Sequence, residues 1–248
     1  MNFSLITQIP TYLLCYFLLI SCGKDPIQVD CTPAQPTVSS LTIIPLGDSR
    51  VEGLRGEFES YRYNLWKQLV QNGWDVDFIG SRMDEGVYEP LGGVCIDNDH
   101  EGTGGAITQD IMHTLDRVTF SSTPEVALLG IGGNDISDAN LPPAVAVENI
   151  RQIVRKLQTL NPEMTIFIEQ IAPGTEEFMT AELTTIFNEF NGLIPPLAGE
   201  LSTNTSKVIT IDMSEWWNDR YMADVVHYNE AGAQVVANRY YEAMDANI

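Results

Sequence analysis

Basic residues are scarce in this chain: 13 Lys and Arg stand against 34 Asp and Glu, a formal net charge of −21 over 248 residues. A surface of that sign repels phosphate backbones, so nucleic acid is not an expected partner, and anionic lipid surfaces and acidic polymers are disfavoured. Histidine is scarcer still, limited to His100, His113 and His227. Any imidazole chemistry must use one of these three. The four cysteines form no Cys-x-x-Cys, so zinc and thioredoxin chemistry have no support. The chain also lacks a P-loop, a His-Glu-x-x-His and a Gly-x-Ser-x-Gly elbow, and its glycine clusters at 102–105 and 130–133 miss the full G-x-G-x-x-G fingerprint. Asp97-x-Asp99-x-Glu101-Gly102 imitates half a calcium loop, but Thr108 stands where the bidentate acid belongs. Neither metal nor cofactor is expected.

What is present is a globular composition, 44% hydrophobic and 9% aromatic, at a length that favours one domain with a real core. The first 21 residues carry no charged side chain, and Thr11–Ile20 (TYLLCYFLLI) is too short to span a bilayer as a mature helix but has the length of a signal-peptide core. Leu19-Ile20-Ser21-Cys22-Gly23 follows, and resembles the lipobox of bacterial lipoproteins, although the leader has no Lys or Arg. The resemblance implies a lipoprotein signal peptide over 1–21, lipidation at Cys22, and a membrane-anchored extracytoplasmic protein, periplasmic or at the cell surface. A plain secretory signal and an ordinary buried apolar strand are the other readings. Cys15 would be removed with the leader, leaving Cys31 and Cys95 as an even pair, either disulfide-bonded or two free thiols.

Residues 22–40 form a polar, proline-bearing stretch without periodicity, read as a flexible stalk. From Leu41 to the C-terminus the texture changes. Five strand-like apolar runs begin at Leu41, Val76, Val126, Met164 and Lys207, the last four reading VDFIG, VALLGI, MTIFIEQI and KVITI. Helical patterns alternate with them. One is marked by Tyr63, Trp66, Leu69 and Val70 before Asn72-Gly73, and a second by Ile107, Ile111 and Leu115. A third starts at Pro142-Pro143 and carries Val147, Ile150, Val154 and Leu157 up to Asn161-Pro162; a fourth covers about 178–189 and the last about 230–244. The strands lack a clean period of two, as expected of a parallel sheet covered on both faces. The chain over 41–248 therefore reads as a doubly wound α/β domain with a five-stranded parallel sheet.

In such sheets ligands bind beyond the carboxyl ends of the strands. Four polar segments stand there: Gly47-Asp48-Ser49-Arg50, the loop Asp99–Gly105, Gly132-Gly133-Asn134-Asp135, and Asp224-Val225-Val226-His227. His113 falls inside a helical pattern. His227 has an aspartate three residues earlier on a non-helical segment, a spacing that lets Asp224 reach the imidazole Nδ1 and fix its tautomer.

The blocks Gly47-Asp48-Ser49, Gly105, Gly132-x-Asn134 and Asp224-x-x-His227, in that order, resemble the SGNH hydrolases, also called GDSL-type esterases. Tyr61-Arg62-Tyr63-x-Leu65-Trp66, Asp77–Ser81 and His100-Glu101-Gly102 are similar to segments of the acetylxylan esterases of carbohydrate esterase family 3. The resemblance implies a three-layer α/β/α, flavodoxin-like fold. It also implies Ser49 as nucleophile, His227 as general base and then acid, and Asp224 as the orienting carboxylate. Oxyanion donors would be the backbone N–H of Ser49 and of Gly105 and the Asn134 side chain. Arg50 departs from the family, which more often has an apolar residue there.

For substrate contacts the reading points to Arg50, His100, Trp216, Trp217 and Tyr221, the aromatics because their faces stack on sugar rings. The expected activity is removal of small acyl groups, such as acetyl, from a neutral carbohydrate. An SGNH esterase of another class (lysophospholipase, thioesterase or arylesterase) and a non-catalytic glycan-binding lipoprotein are the alternatives.

Overall fold

A computed structural model describes residues 31–33 and 36–248. The apolar segment 1–21, Cys22 and the greater part of the stalk lie outside the described residues. The stalk is pinned to the domain midway along its length: Cys31 is joined to Cys95 by a disulfide, and Thr32 exchanges backbone hydrogen bonds with Gly93 and Cys95 beside it.

In chain order the elements are β1 (Leu41–Gly47), α1 (Ser49–Glu52), α2 (Arg62–Gln71), β2 (Val76–Phe78), β3 (Arg82–Met83), β4 (Asp99–Gly102), α3 (Thr108–Arg117), β5 (Val126–Gly130), α4 (Gly133–Ser137), α5 (Pro143–Leu160), β6 (Thr165–Gln170), α6 (Ala181–Leu201), β7 (Val208–Asp212), a 3-10 turn (Asp219–Tyr221) and α7 (Glu230–Asn247). The five expected strands lie in the order β2-β1-β5-β6-β7, all parallel. This is the flavodoxin-like winding, with its switch point between β1 and β5.

Two short strands outside the sequence reading bring the sheet to seven. β2 pairs with Leu41–Ile43 and then leaves, and β4 takes over the same edge at Leu46 and Gly47. The segment Asp99–Gly102, expected as loop, is therefore strand. Its pairing satisfies edge groups of β1 that β2 leaves behind, and it is capped outward by antiparallel β3.

Successive strand residues point into two different cores. Ile44, Leu46, Ala127, Leu129, Ile166 and Ile168 face α3, α5 and α6. Ile43, Val126, Leu128 and Phe167 face α2 and α7. Because both faces are apolar, no alternation appears in the sequence.

The largest departure in helix length is α6, which runs through Pro195 and Pro196 to Leu201. A proline at 195 removes the hydrogen bond that Asn191 O would otherwise accept. That carbonyl accepts instead from the Gln170 side chain at 2.9 Å. The Asn191 amide meanwhile brackets Ile171 at the end of β6, accepting from its N–H at 2.8 Å and donating to its carbonyl at 2.9 Å. A tertiary partner thus keeps the helix continuous where local propensity would end it.

Candidate active site

The crevice lies beyond the carboxyl ends of β1 and β5, and both strands end there in glycine. At Gly47 an added Cβ would lie 2.0 Å from Gly130 O, so only glycine lets the strand ends approach this closely. Asp48 follows as the cap of α1, its Oδ1 accepting from Arg50 N at 2.9 Å. Burial raises the Asp48 carboxyl above the usual range. A four-residue helix does not persist alone, and α1 is held from its far end too. The buried Arg62 guanidinium donates to Val51 O at 2.8 Å and Glu52 O at 2.7 Å, then pairs with Asp84 at 2.8 Å.

Ser49 is the first residue of this braced helix, and its Oγ lies 2.9 Å from His227 Nε2. The other ring nitrogen of His227 lies 2.7 Å from Asp224 Oδ2. Asp224 Oδ1 accepts from Val226 N at 2.8 Å and His227 N at 2.7 Å, so one carboxylate shapes the turn and faces the ring it presents. Partial burial works to raise the Asp224 carboxyl, but these backbone bonds and the imidazole outweigh it and hold it below its ordinary value. The geometry thus unites three sequence-predicted residues from opposite ends of the domain.

The three donors expected for an oxyanion stand on α1, on the 103–105 turn and on α4. Thr103 N donates to Gly47 O at 3.0 Å, which draws the 103–105 turn against the nucleophile helix. Among the described residues, neither Ser49 N–H nor Gly105 N–H has an acceptor. Gly105 has φ +72° with nothing within 4 Å of a built Cβ; the requirement for glycine is a left-handed backbone, not the crowding that close approach would suggest. Asn134 sits in α4 and donates from Nδ2 to Ala106 O at 2.9 Å, leaving its second amide hydrogen free.

A groove of about 660 Å³ runs from Ser49, Gly105 and His227 past Phe58 to Arg82 and Met83. His100 lines it as a buried neutral ring: Nδ1 accepts from Gly102 N at 3.0 Å, and burial, with Arg62 nearby, pushes its pKa down to about 3. The other expected substrate contacts stand elsewhere. Arg50 turns away from the groove; Nε donates to Val226 O at 2.8 Å and Nη1 to Ala172 O at 2.6 Å. Trp217 packs on Tyr221 and Tyr228 and donates its indole N–H to Met222 Sδ. Tyr221 is engaged with Trp217 and Arg220. Trp216 is 83% exposed. Residue type foretold aromatic faces here, but none of the three lines the groove of Ser49. His113 is exposed on α3.

Two contributors were not among the predicted site residues. Phe58, which stacks on the His227 ring, has no signal in the sequence; Arg62, which braces α1, lies in the segment Tyr61–Trp66 that resembles the carbohydrate esterases, with no role implied for it. Asp97 and Glu101, part of the calcium-like pattern, accept from backbone and side-chain donors of Phe78, Asp99 and Ser81. No cluster of His, Cys, Asp or Glu among the described residues is arranged to hold a metal ion.

The sequence model of the GDSL-like lipase/acylhydrolase family matches residues 46–235. The crystal structure of a carbohydrate esterase family 3 from Talaromyces cellulolyticus superposes with a TM-score of 0.69 at 22% identity, covering 83% of this chain and 97% of that one. A Clostridium thermocellum family 3 carbohydrate esterase gives 0.65 at 26%, covering 84% and 96%. An acetyl xylan esterase gives 0.60 at 19%, covering 82% and 99%. Comparison with curated proteins finds no significant relative.

Proposed function

Because the chain belongs to the GDSL-like lipase/acylhydrolase family and is thereby a carboxylic ester hydrolase, we propose that it removes small acyl groups, acetyl above all, from a neutral carbohydrate through a Ser-His-Asp acyl-enzyme mechanism. One observation carries this reading: the hydrogen-bonded series Ser49–His227–Asp224 at the end of an open groove.

His227 Nε2 takes the Ser49 proton as Oγ attacks the ester carbonyl. The oxyanion that forms is met by Ser49 N–H, Gly105 N–H and the free Asn134 amide hydrogen, each such donor worth roughly a hundred- to a thousandfold in rate. Asp224 holds the ring with Nδ1–H toward it and stabilises the imidazolium. Collapse returns the proton from Nε2 to the departing sugar oxygen and leaves Ser49 acylated. Water, deprotonated by the same nitrogen, then releases the acid and restores the serine hydroxyl. The mixed polar lining of the groove suits sugar hydroxyls, and the likeness to carbohydrate esterases supports the same substrate class.

We further read 1–21 as a lipoprotein signal peptide and Cys22 as the anchored N-terminus; the disulfide supports an oxidising compartment. Palmitate incorporation that is lost on Cys22→Ser is the expected result, and unlabelled wild type would overturn it.

The test is hydrolysis of p-nitrophenyl acetate, butyrate and octanoate by the full chain beside Ser49→Ala. Acetate turnover that declines with chain length and is abolished in the variant is expected. Faster octanoate turnover would favour a lipid-type substrate, a reading for which Leu54 and Met83 speak, 50% and 69% exposed at the groove. No turnover of any ester would overturn the catalytic reading.

A further inference from the structure

We propose that Arg50 is a positioning residue for this reaction, its guanidinium locking the turn that carries Ser49 to the segment that carries His227. The proposal rests on the Ser49–His227–Asp224 reading above.

Residues 222–228 that present His227 form neither helix nor strand. The segment is tied by separate bonds, among them Ala223 N to His227 O at 2.8 Å, Thr175 N to Val225 O at 2.9 Å and Glu59 N to Tyr228 O at 2.8 Å. The Val226 carbonyl, adjacent to the histidine, is held by a side chain instead. Arg50 Nε–H reaches it at 2.8 Å. The same guanidinium donates through Nη1 to Ala172 O at 2.6 Å, just beyond β6. Its carbon lies 4.9 Å from the centre of the Tyr228 ring, on the other side of the histidine.

The Arg50 backbone belongs to α1 and follows Ser49 directly. One residue therefore fixes the nucleophile turn, the rigid end of the sheet and both neighbours of the imidazole relative to one another. The carboxylates of Asp48 and Glu169, both buried, lie within electrostatic reach of its charge, and Tyr240 Oη donates to Glu169 at 2.6 Å. A planar, rigid fork can serve two carbonyls in different directions at once; a lysine ammonium of similar reach is a single point with flexible bonds behind it. A misplacement of about 1 Å between reacting groups is enough to lower rate roughly a hundredfold.

The experiment compares Arg50→Leu, Arg50→Lys and Arg50→Ala in the full chain on p-nitrophenyl acetate, with Ser49→Ala and His227→Ala in parallel. For Arg50→Leu the expectation is a fall in kcat of about a hundredfold with KM little changed. Arg50→Lys should be intermediate, and methylguanidinium at non-denaturing concentration should restore part of the Arg50→Ala rate. Wild-type kcat in Arg50→Leu would overturn the proposal. So would a kcat loss that tracks the melted fraction and does not respond to methylguanidinium. If Arg50→Leu fails to fold, Arg50→Lys decides: lower kcat at constant KM in a folded protein supports positioning, and unchanged kcat refutes it. Undiminished turnover in both Ser49→Ala and His227→Ala would overturn the catalytic reading beneath it instead.

Discussion

Phe58 lies face to face on the imidazole of His227, ring centroids 3.9 Å apart and planes 15° from parallel. The tight turn from Leu54 to Phe58, closed by backbone bonds of 3.0 and 3.1 Å between those two residues, delivers the ring there. An aromatic face attracts a cation, so this contact favours the imidazolium that forms as Ser49 loses its proton. Replacing Phe58 by Leu keeps apolar bulk and removes the π-face. Steady-state hydrolysis of an acetate ester should slow about fivefold, equivalent to about 1 kcal/mol, while Phe58→Tyr stays near wild type. A Leu variant as fast as wild type would show that the stacking only packs.

Arg62 tests the bracing of the nucleophile helix from its other end. Its side chain is almost wholly buried against Asp84 and two carbonyls of α1. Arg62→Met leaves Asp84 without its cation and Glu52 O without its donor, while Val51 O keeps only Ser60 Oγ, so urea unfolding should show a loss of about 3 kcal/mol. Adding Asp84→Asn should cost less than the sum of the two single changes, since the pair is coupled. Strict additivity would mean that the ion pair does not matter to the fold.

Glu169 gives a pH dependence of definite sign. Burial pushes its pKa up to about 7, with Tyr240 donating to it and Asp48 and Arg50 nearby. Between pH 4.5 and 7 the folded protein keeps a proton that the unfolded chain releases, so this group's contribution to stability falls as pH rises through that window. Glu169→Gln, which mimics the neutral acid, should remove that loss, on the order of 3 kcal/mol. The comparison must be wild type against variant, because His100, with its pKa lowered by burial, acts in the opposite direction as pH falls below its unfolded value. Parallel stability curves from pH 5 to 8 for the two proteins would contradict the assignment.

The Cys31–Cys95 bond closes a separation of 64 residues, and neither cysteine lines the groove of Ser49. Reduction should lower unfolding free energy by roughly 4 kcal/mol on a chain-entropy basis and leave kcat for an acetate ester unchanged below the melting transition. Denaturation curves with and without reductant, paired with initial rates, check both halves. A loss of activity in still-folded reduced protein would tie the stalk to the site.

Much of this architecture was legible because its signals are local. The β5 and β6 runs are apolar on both faces, which only a strand between two helical layers requires, and α5 is marked by Pro143 at one end and Asn161-Pro162 at the other. β4 carries no strand signal because Asp99-His100-Glu101-Gly102 is polar; it is strand through its partner, β1, and not through its own pattern. The end of α6 is hidden in the sequence for a related reason, since Gln170 supplies the hydrogen bond that Pro195 removes.

By itself the sequence determined the strand-helix alternation, the positions of polar segments at strand ends, and a shortlist of three histidines, each with an aspartate three residues earlier, of which His227 stands on a non-helical segment. These follow from periodicity, glycine and spacing, all of which act within a few residues. Only the tertiary structure decided where side chains with more than one use would point. Arg50 and Trp217, both plausible contacts by type, turn to Val226 O and Met222, and Phe58, silent in the sequence, covers the imidazole. A side chain's direction is set by whichever distant carbonyl, ring or charge satisfies it best, and that partner exists only once the chain has closed.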